Sequence, residues 1–249
     1  MKTRREFLEL AAGAAIVPVW KWEQRPASES QPYKDVAEAP DVLDHILLGC
    51  ADLEFGITFV EERTGVKAAF GGVHPGRGTQ NALLSLGELH YLEIIAPDPK
   101  QVGTAGPHSS VERLGLRELA EPRLVTWAAH PGSLVKLAER LKKEGIAADG
   151  PTPGSRKRPD GKTLHWSTLN LADDLNGLLP FFIEWGADSV HPSMDAPKGC
   201  MIEKFWVESQ RPEDLEKEFG LMGLEVKVRR GDKPRLRATL KGPKGEMEL

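Results

Sequence analysis

The chain has 249 residues, of which 40% are hydrophobic and 28% charged, and its formal net charge is −4 at pH 7. This is material for one large domain or two to three small ones in an ordinary globular protein. The slight negative balance and the lack of a dense basic run exclude a nucleic-acid partner; Arg156-Lys157-Arg158 is short, lies among Pro and Gly, and reads as a solvated loop.

The chain opens on an address rather than on fold. Thr3-Arg4-Arg5-Glu6-Phe7-Leu8 followed by LAAGAAIV resembles a twin-arginine export signal, which implies the export machinery as a partner and the periplasm as destination. The alternative is an amphipathic N-terminal helix that begins with two arginines. The apolar run is too short for a permanent membrane span and carries Glu9, and Pro18, Trp20 and Trp22 leave no clean cleavage site. From about Lys21 to Pro40 the composition is that of a flexible tether.

From Leu43 an apolar strand, LDHILLGC, leads into a helical stretch with Leu53, Ile57, Phe59 and Val60 on its buried face and Gly65 as its stop. The pattern returns as LVTWAA and a helix with Leu134, Leu137, Ala138 and Leu141, stopped at Gly145. It returns again as IEKFWVES and PEDLEKEFGLMG, stopped at Gly223. Stops about 80 residues apart suit a small domain repeated along the chain. After each come loop-punctuated strands: VKAAFGG and TQNALLSLG, then KTLHWSTLN, then LEVKVRR and RLRATLKG. Cys50 and Cys200 stand in unrelated contexts, either as two small buried side chains or as a disulfide.

Each of the first two copies closes with a strand that carries a glutamate among apolar residues: Glu93 in YLEIIAP and Glu184 in FFIEWG, with Glu248 in GEMEL a candidate for the third. Burying an unpaired carboxylate costs several kcal/mol, so each needs a cation, a donor or a metal beside it, Arg77 and Arg123 included. His74, Arg77 and Asn81 share a Gly-rich loop segment, VHPGRGTQN, that reads either as a mouth holding an anionic or carbonyl substrate or as a surface turn. His165, Trp166 and His191 are weaker candidates, and His90, His108 and His130 read as surface or packing residues. No phosphate loop, nucleophile elbow or dinucleotide fingerprint is present.

Leu43-Asp44-His45-Ile46, GGVHPGRGTQNALLSLG, YLEIIAPDP and FIEWG resemble the glyoxalase-like domains of the vicinal oxygen chelate superfamily, which includes bleomycin-resistance proteins and extradiol dioxygenases. The resemblance covers about residue 42 to the C-terminus. It implies an α+β fold of tandem βαβββ modules in a curved mixed sheet around a cleft. Its bounds are 41–199, with modules at about 41–100 and 122–190, and a partial third module follows at 200–249. It implies His45, Glu93 and Glu184 as ligands of a divalent metal (Zn, Ni, Co, Mn or Fe). Glu93 and Glu184 double as catalytic carboxylates, while His74, Arg77, Asn81, Trp127 and His165 meet the substrate. The second-module counterpart of His45 falls at Trp127, or at Thr126 after a one-residue slip. Trp127 cannot ligate a metal.

The activity implied is that of a metal-dependent lyase, isomerase or dioxygenase on a small oxygen-rich substrate chelated through vicinal oxygens. The alternative is a non-catalytic protein that binds or sequesters a small molecule, with the Trp127 indole as stacking surface. A homodimer is an assembly that the resemblance admits.

Overall fold

The computed structural model describes residues 38–101, 109–157 and 161–249. The export signal and most of the tether lie outside the described residues, as do His108 and Arg158. The first module comprises β1 (Leu43–Gly49), α1 (Leu53–Thr64), β2 (Ala69–His74), β3 (Thr79–Ser85) and β4 (Tyr91–Pro97). A short helix, α2 (Ser110–Arg113), precedes the second: β5 (Arg123–Ala129), α3 (Leu134–Lys143), β6 (Ala148–Lys157), β7 (Thr163–Leu171) and β8 (Phe181–Trp185). A second short helix, α4 (Pro192–Asp195), leads to β9 (Met201–Ser209), α5 (Pro212–Met222), β10 (Val228–Arg230), β11 (Arg235–Gly242) and β12 (Gly245–Glu248).

The helices begin and end where side-chain chemistry dictates. Asp52 caps α1 by accepting from the Phe55 N–H at 2.8 Å, and Gly65, at φ 83°, provides the left-handed residue that closes it. Ser133 caps α3, whose Leu134, Leu137 and Leu141 are buried while Arg140, Lys142 and Lys143 lie in its last turn, the favourable end for cations.

Eight strands form one mixed sheet in the order β2-β3-β4-β1-β5-β8-β7-β6. In both modules the first strand runs parallel to the last, β1 to β4 and β5 to β8, and the modules join antiparallel through β1 and β5. The sheet curls into a half-barrel, so that alternate residues face either its concave cleft or its convex outer face. Its two edges approach each other, with the Gly71–Gly72 backbone of β2 beside Arg156 of β6.

β6 corrects the sequence reading, which left Arg156-Lys157 in a loop. Pro151 and Pro153 lack an N–H, but β6 is an outermost strand that pairs only with β7, so its other side needs no ladder donor.

The C-terminal segment repeats the element order of a module but pairs differently. Its sheet runs β10-β9-β11-β12, with β9 parallel to β10 and antiparallel to β11. Glu248 is exposed and meets Arg237 Nη2 at 3.0 Å. This unit packs on the convex face of the main sheet, where the Trp127 ring lies 5.1 Å from Phe205 and 6.2 Å from Phe219. Both cysteines are buried free thiols.

Trp127 is fully buried and its indole N–H donates to the Leu178 carbonyl at 2.9 Å. Trp127→Ala is expected to cost about 3–5 kcal/mol in chemical denaturation through the cavity left between sheet and C-terminal unit. Ligand binding in the cleft, on the other face, should persist.

Candidate functional site

The concave face of the sheet holds a cavity of about 110 Å³ into which both modules project side chains. β1 contributes His45 and Leu47, β4 contributes Tyr91, Glu93 and Ile95, and β2 and β3 contribute His74, Asn81 and Leu83. From the second module come Arg156, Trp166, Thr168, Phe181, Ile183 and Trp185. The strict two-residue alternation is visible in these numbers.

One departure from alternation matters most. The ladder between β1 and β5 shifts register between Leu43 and His45, a bulge that re-aims side chains and turns Asp44 alongside its neighbour. Asp44 Oδ1 lies 2.6 Å from His45 Nδ1, and both residues are at most 2% exposed. The other Asp44 oxygen accepts from the Trp185 indole at 3.0 Å and lies 3.3 Å from His191 Nε2 and 3.8 Å from His130 Nδ1. On its far side His45 Nε2 stands 3.5 Å from Glu93 Oε2, and its ring stacks on Tyr91 at 4.3 Å. Glu93 also accepts from Asn81 Nδ2 at 2.8 Å.

The pKa values follow from these contacts. Burial opposes charge on all three groups, but hydrogen bonds and attraction among them win. Asp44, bonded by His191 and His45, stays far below the usual carboxylate range. Burial works against the charged form of His45, yet Asp44 and Glu93 raise it to about 9. Glu93 is likewise opposed by burial but, held by His45, His74 and Asn81, falls to about 2.

His74 behaves oppositely, because its burial and the nearby Arg156 and Arg77 outweigh the pull of Glu93 and lower it. Its Nδ1 meets Thr79 Oγ1 at 2.9 Å and its Nε2 faces the Asn81 amide at 3.4 Å and Glu93 at 3.7 Å. With the Asn81 amide donating toward Nε2, the proton is assigned to Nδ1, which donates to Thr79, and Nε2 is the acceptor on the Asn81 and Glu93 side of the cleft.

The residues named from the sequence divide sharply. His45, Glu93, His74, Arg77 and Asn81 all line the cleft. Glu184 does not: between the inward-facing Ile183 and Trp185, it points to the other side of the sheet, where its Oε2 accepts from the first N–H of α3, that of Leu134, at 2.9 Å. Trp127 is core on that same outer face, and His165 is exposed one residue from the inward Trp166. Both are thereby removed from the substrate set. Thr126, the alternative station, is buried and offers only a hydroxyl.

The donor set does not fit the implied three-ligand metal. His45 spends both ring nitrogens on carboxylates, the second module presents Ile183 and Trp185 where a ligand was expected, and Arg156 and Arg77 add positive charge nearby. Among the described residues no group of three His, Cys, Asp or Glu side chains is arranged to hold an ion.

Asp44, Arg156 and Trp185 lay outside the sequence reading as site residues, and Trp166, read as a weaker candidate, does line the cleft. Asp44 was hidden by the bulge. Tyr91 and Trp185 sat in the very strands that drew attention to Glu93 and Glu184, and counting by twos from Glu93 would have selected Tyr91.

Compared with known families, residues 43–220 match the model of the glyoxalase-like domain. The chain belongs to this family, within the vicinal oxygen chelate superfamily. Among solved structures, a hypothetical protein from Staphylococcus aureus is similar at TM-score 0.57 and 16% identity, covering 83% of this chain and 84% of that one. Methylmalonyl-CoA epimerase from Mycobacterium tuberculosis aligns at TM-score 0.41 and 16% identity over 59% of this chain and 87% of that chain. The Streptomyces coelicolor enzyme aligns at 0.42 and 19% identity over 63% and 99%. At such identities the likeness is one of fold. Comparison with curated proteins finds no match.

The charge row of this glyoxalase-like cleft sets a pH window. His45, raised from 6.5 to about 9, contributes stability that is full below 6.5 and lost as pH rises through about 9. Glu93, lowered from 4.5 to about 2, contributes above 4.5 and loses it as pH falls through about 2. Melting temperature should therefore be highest between these limits, and Asp44→Asn should move the His45 imidazole titration, followed by NMR, to lower pH.

Proposed function

We propose that the cleft transfers a proton on a small organic substrate, as isomerases and lyases do, with His74 as the base and the His45 imidazolium as its electrostatic partner. Family membership supports a small-molecule role, enzymatic or binding. The observation that carries the proton-transfer reading is the pair of imidazoles flanking Glu93 in one cavity, at 3.5 and 3.7 Å, with surroundings that shift His45 up and His74 down. Groups whose surroundings push their pKa values apart are the usual assignment of acid and base. Tyr91 and the Phe181 edge fix the His45 ring, and Asn81 holds Glu93 so that its charge favours the imidazolium. No step is routed through a metal.

A second reading, sequestration without turnover, is favoured by the aromatic wall of Trp166 and Trp185, whose rings lie 5.9 Å apart and offer stacking surface. Incubation in D2O with a panel of small carbonyl compounds, neutral and acidic, distinguishes the two. Proton transfer predicts exchange of an α-proton in at least one compound, seen by proton NMR, and loss of at least about a hundredfold in rate in His74→Gln. Binding without exchange across the panel overturns it in favour of sequestration.

The periplasm is proposed as the place of action, on the strength of Arg4-Arg5-Glu6-Phe7-Leu8 alone. Replacing Arg4 and Arg5 by Lys should retain the folded protein in the cytoplasm; normal arrival in the periplasm overturns the assignment.

A further inference from the structure

Arg156 is a buried guanidinium with an incomplete set of partners. It is only 7% exposed, and its Nη1 donates to Asn81 Oδ1 at 2.6 Å, a neutral acceptor. Among the described residues, no carboxylate lies within ion-pair distance of Arg156 or of Arg77 at the mouth. Arg113, also on the cleft, already faces Asp174 at 3.3 Å. For Arg156, one amide oxygen leaves most of the five N–H donors without a protein partner among the described residues, and none of its nitrogens is an orphaned buried atom, so the spare donors open onto the cleft.

The chain goes to some length to place it there. Arg156 belongs to the second module but reaches across to the first, and β2 makes room by having no side chain at Gly71. A Cβ on Gly71 would stand 2.5 Å from Asn81 Oδ1 and 3.0 Å from Arg156 Nη1. The local charges also fail to balance. The carboxylates of Asp44 and Glu93 both lie against the His45 imidazolium, and Arg156 and Arg77 line the same cleft with no carboxylate of their own among the described residues, leaving one positive charge in excess.

We infer that the cleft recognises a small organic monoanion whose carboxylate is held by Arg156, with Arg77 at the mouth. Guanidinium and carboxylate match as a two-point fork, which fixes orientation as well as charge. The remainder of the molecule has a way out. The inner cavity shares Arg77, Thr168 and Asn170 with an outer cavity of about 630 Å³, so a small acidic head sits inside while a polar continuation leaves past these residues. Asn81 links the two halves of the site, accepting from Arg156 and donating to Glu93. This inference rests on the proposed small-molecule cleft and names its substrate class, but it does not require turnover.

The test uses the full chain and matched pairs of probes: pyruvate, propionate and benzoate against their neutral amides, with binding read by saturation-transfer NMR and isothermal titration. The acids are expected to bind and the amides to bind at least about tenfold more weakly. Arg156→Gln, which keeps a donor for Asn81, should abolish that preference, and Arg156→Lys should retain part of it. His74→Gln should still prefer acids while losing any α-proton exchange, so failure of the proton-transfer reading leaves this result standing. Equal affinity for acids and amides, no binding of any acid, or an unchanged preference in a folded Arg156→Gln protein overturns the inference.

Discussion

The site depends on a row of buried charges of alternating sign. Asp44, His45 and Glu93 are nearly inaccessible to water, and any one of them alone would be too costly to bury. Together they compensate: the imidazolium lies between two carboxylates, and each carboxylate has further donors, Trp185 for Asp44 and Asn81 for Glu93. Because those donors come from β8 and β3, the row ties the first module to the second and one strand to the next. It also shapes what the cleft can do, since its carboxylates raise His45 to about 9, while burial, with Arg156 and Arg77, shifts His74 the other way.

The two modules share a pairing scheme but not a chemistry. The first module supplies the charge row and His74. The second supplies Trp166, Phe181, Ile183 and Trp185, a largely apolar wall, together with the single buried cation Arg156 among the described residues of that face. Such a division gives one ligand two surfaces, a polar one for its reacting or charged end and an aromatic one for its body. It also explains why a symmetric set of ligands does not assemble: the strand position of Glu93 faces the cleft, whereas Glu184 falls on the opposite parity of β8 and satisfies the start of α3 instead.

A curled sheet has two faces to cover, and the C-terminal unit covers part of the outer one. Phe205 and Phe219 close over Trp127, and the concave face is left for a ligand. The aromatic residue that looked like a stacking platform in the sequence is thus part of what holds the scaffold rigid behind the cleft.

Local pattern was enough for the modules. Apolar strands, amphipathic helices, and glycines at their ends are short-range features, and α1, α3 and α5 end at or next to Gly65, Gly145 and Gly223 as that pattern requires. His45 and Glu93 were also legible, because a His and a Glu inside apolar strands demand an explanation wherever the chain folds. The side of the sheet on which a residue lies was not legible, because one residue of slip exchanges the two faces. Parity in β8 sent Glu184 outward, in β7 it sent His165 outward and Trp166 inward, and a bulge in β1 brought Asp44 beside His45. Arg156 lay further still from view. Its Pro- and Gly-rich surroundings have the composition of a loop, and only the closure of the half-barrel carries it to Asn81 and into the cleft, a contact between residues 75 positions apart in the chain that no local pattern encodes.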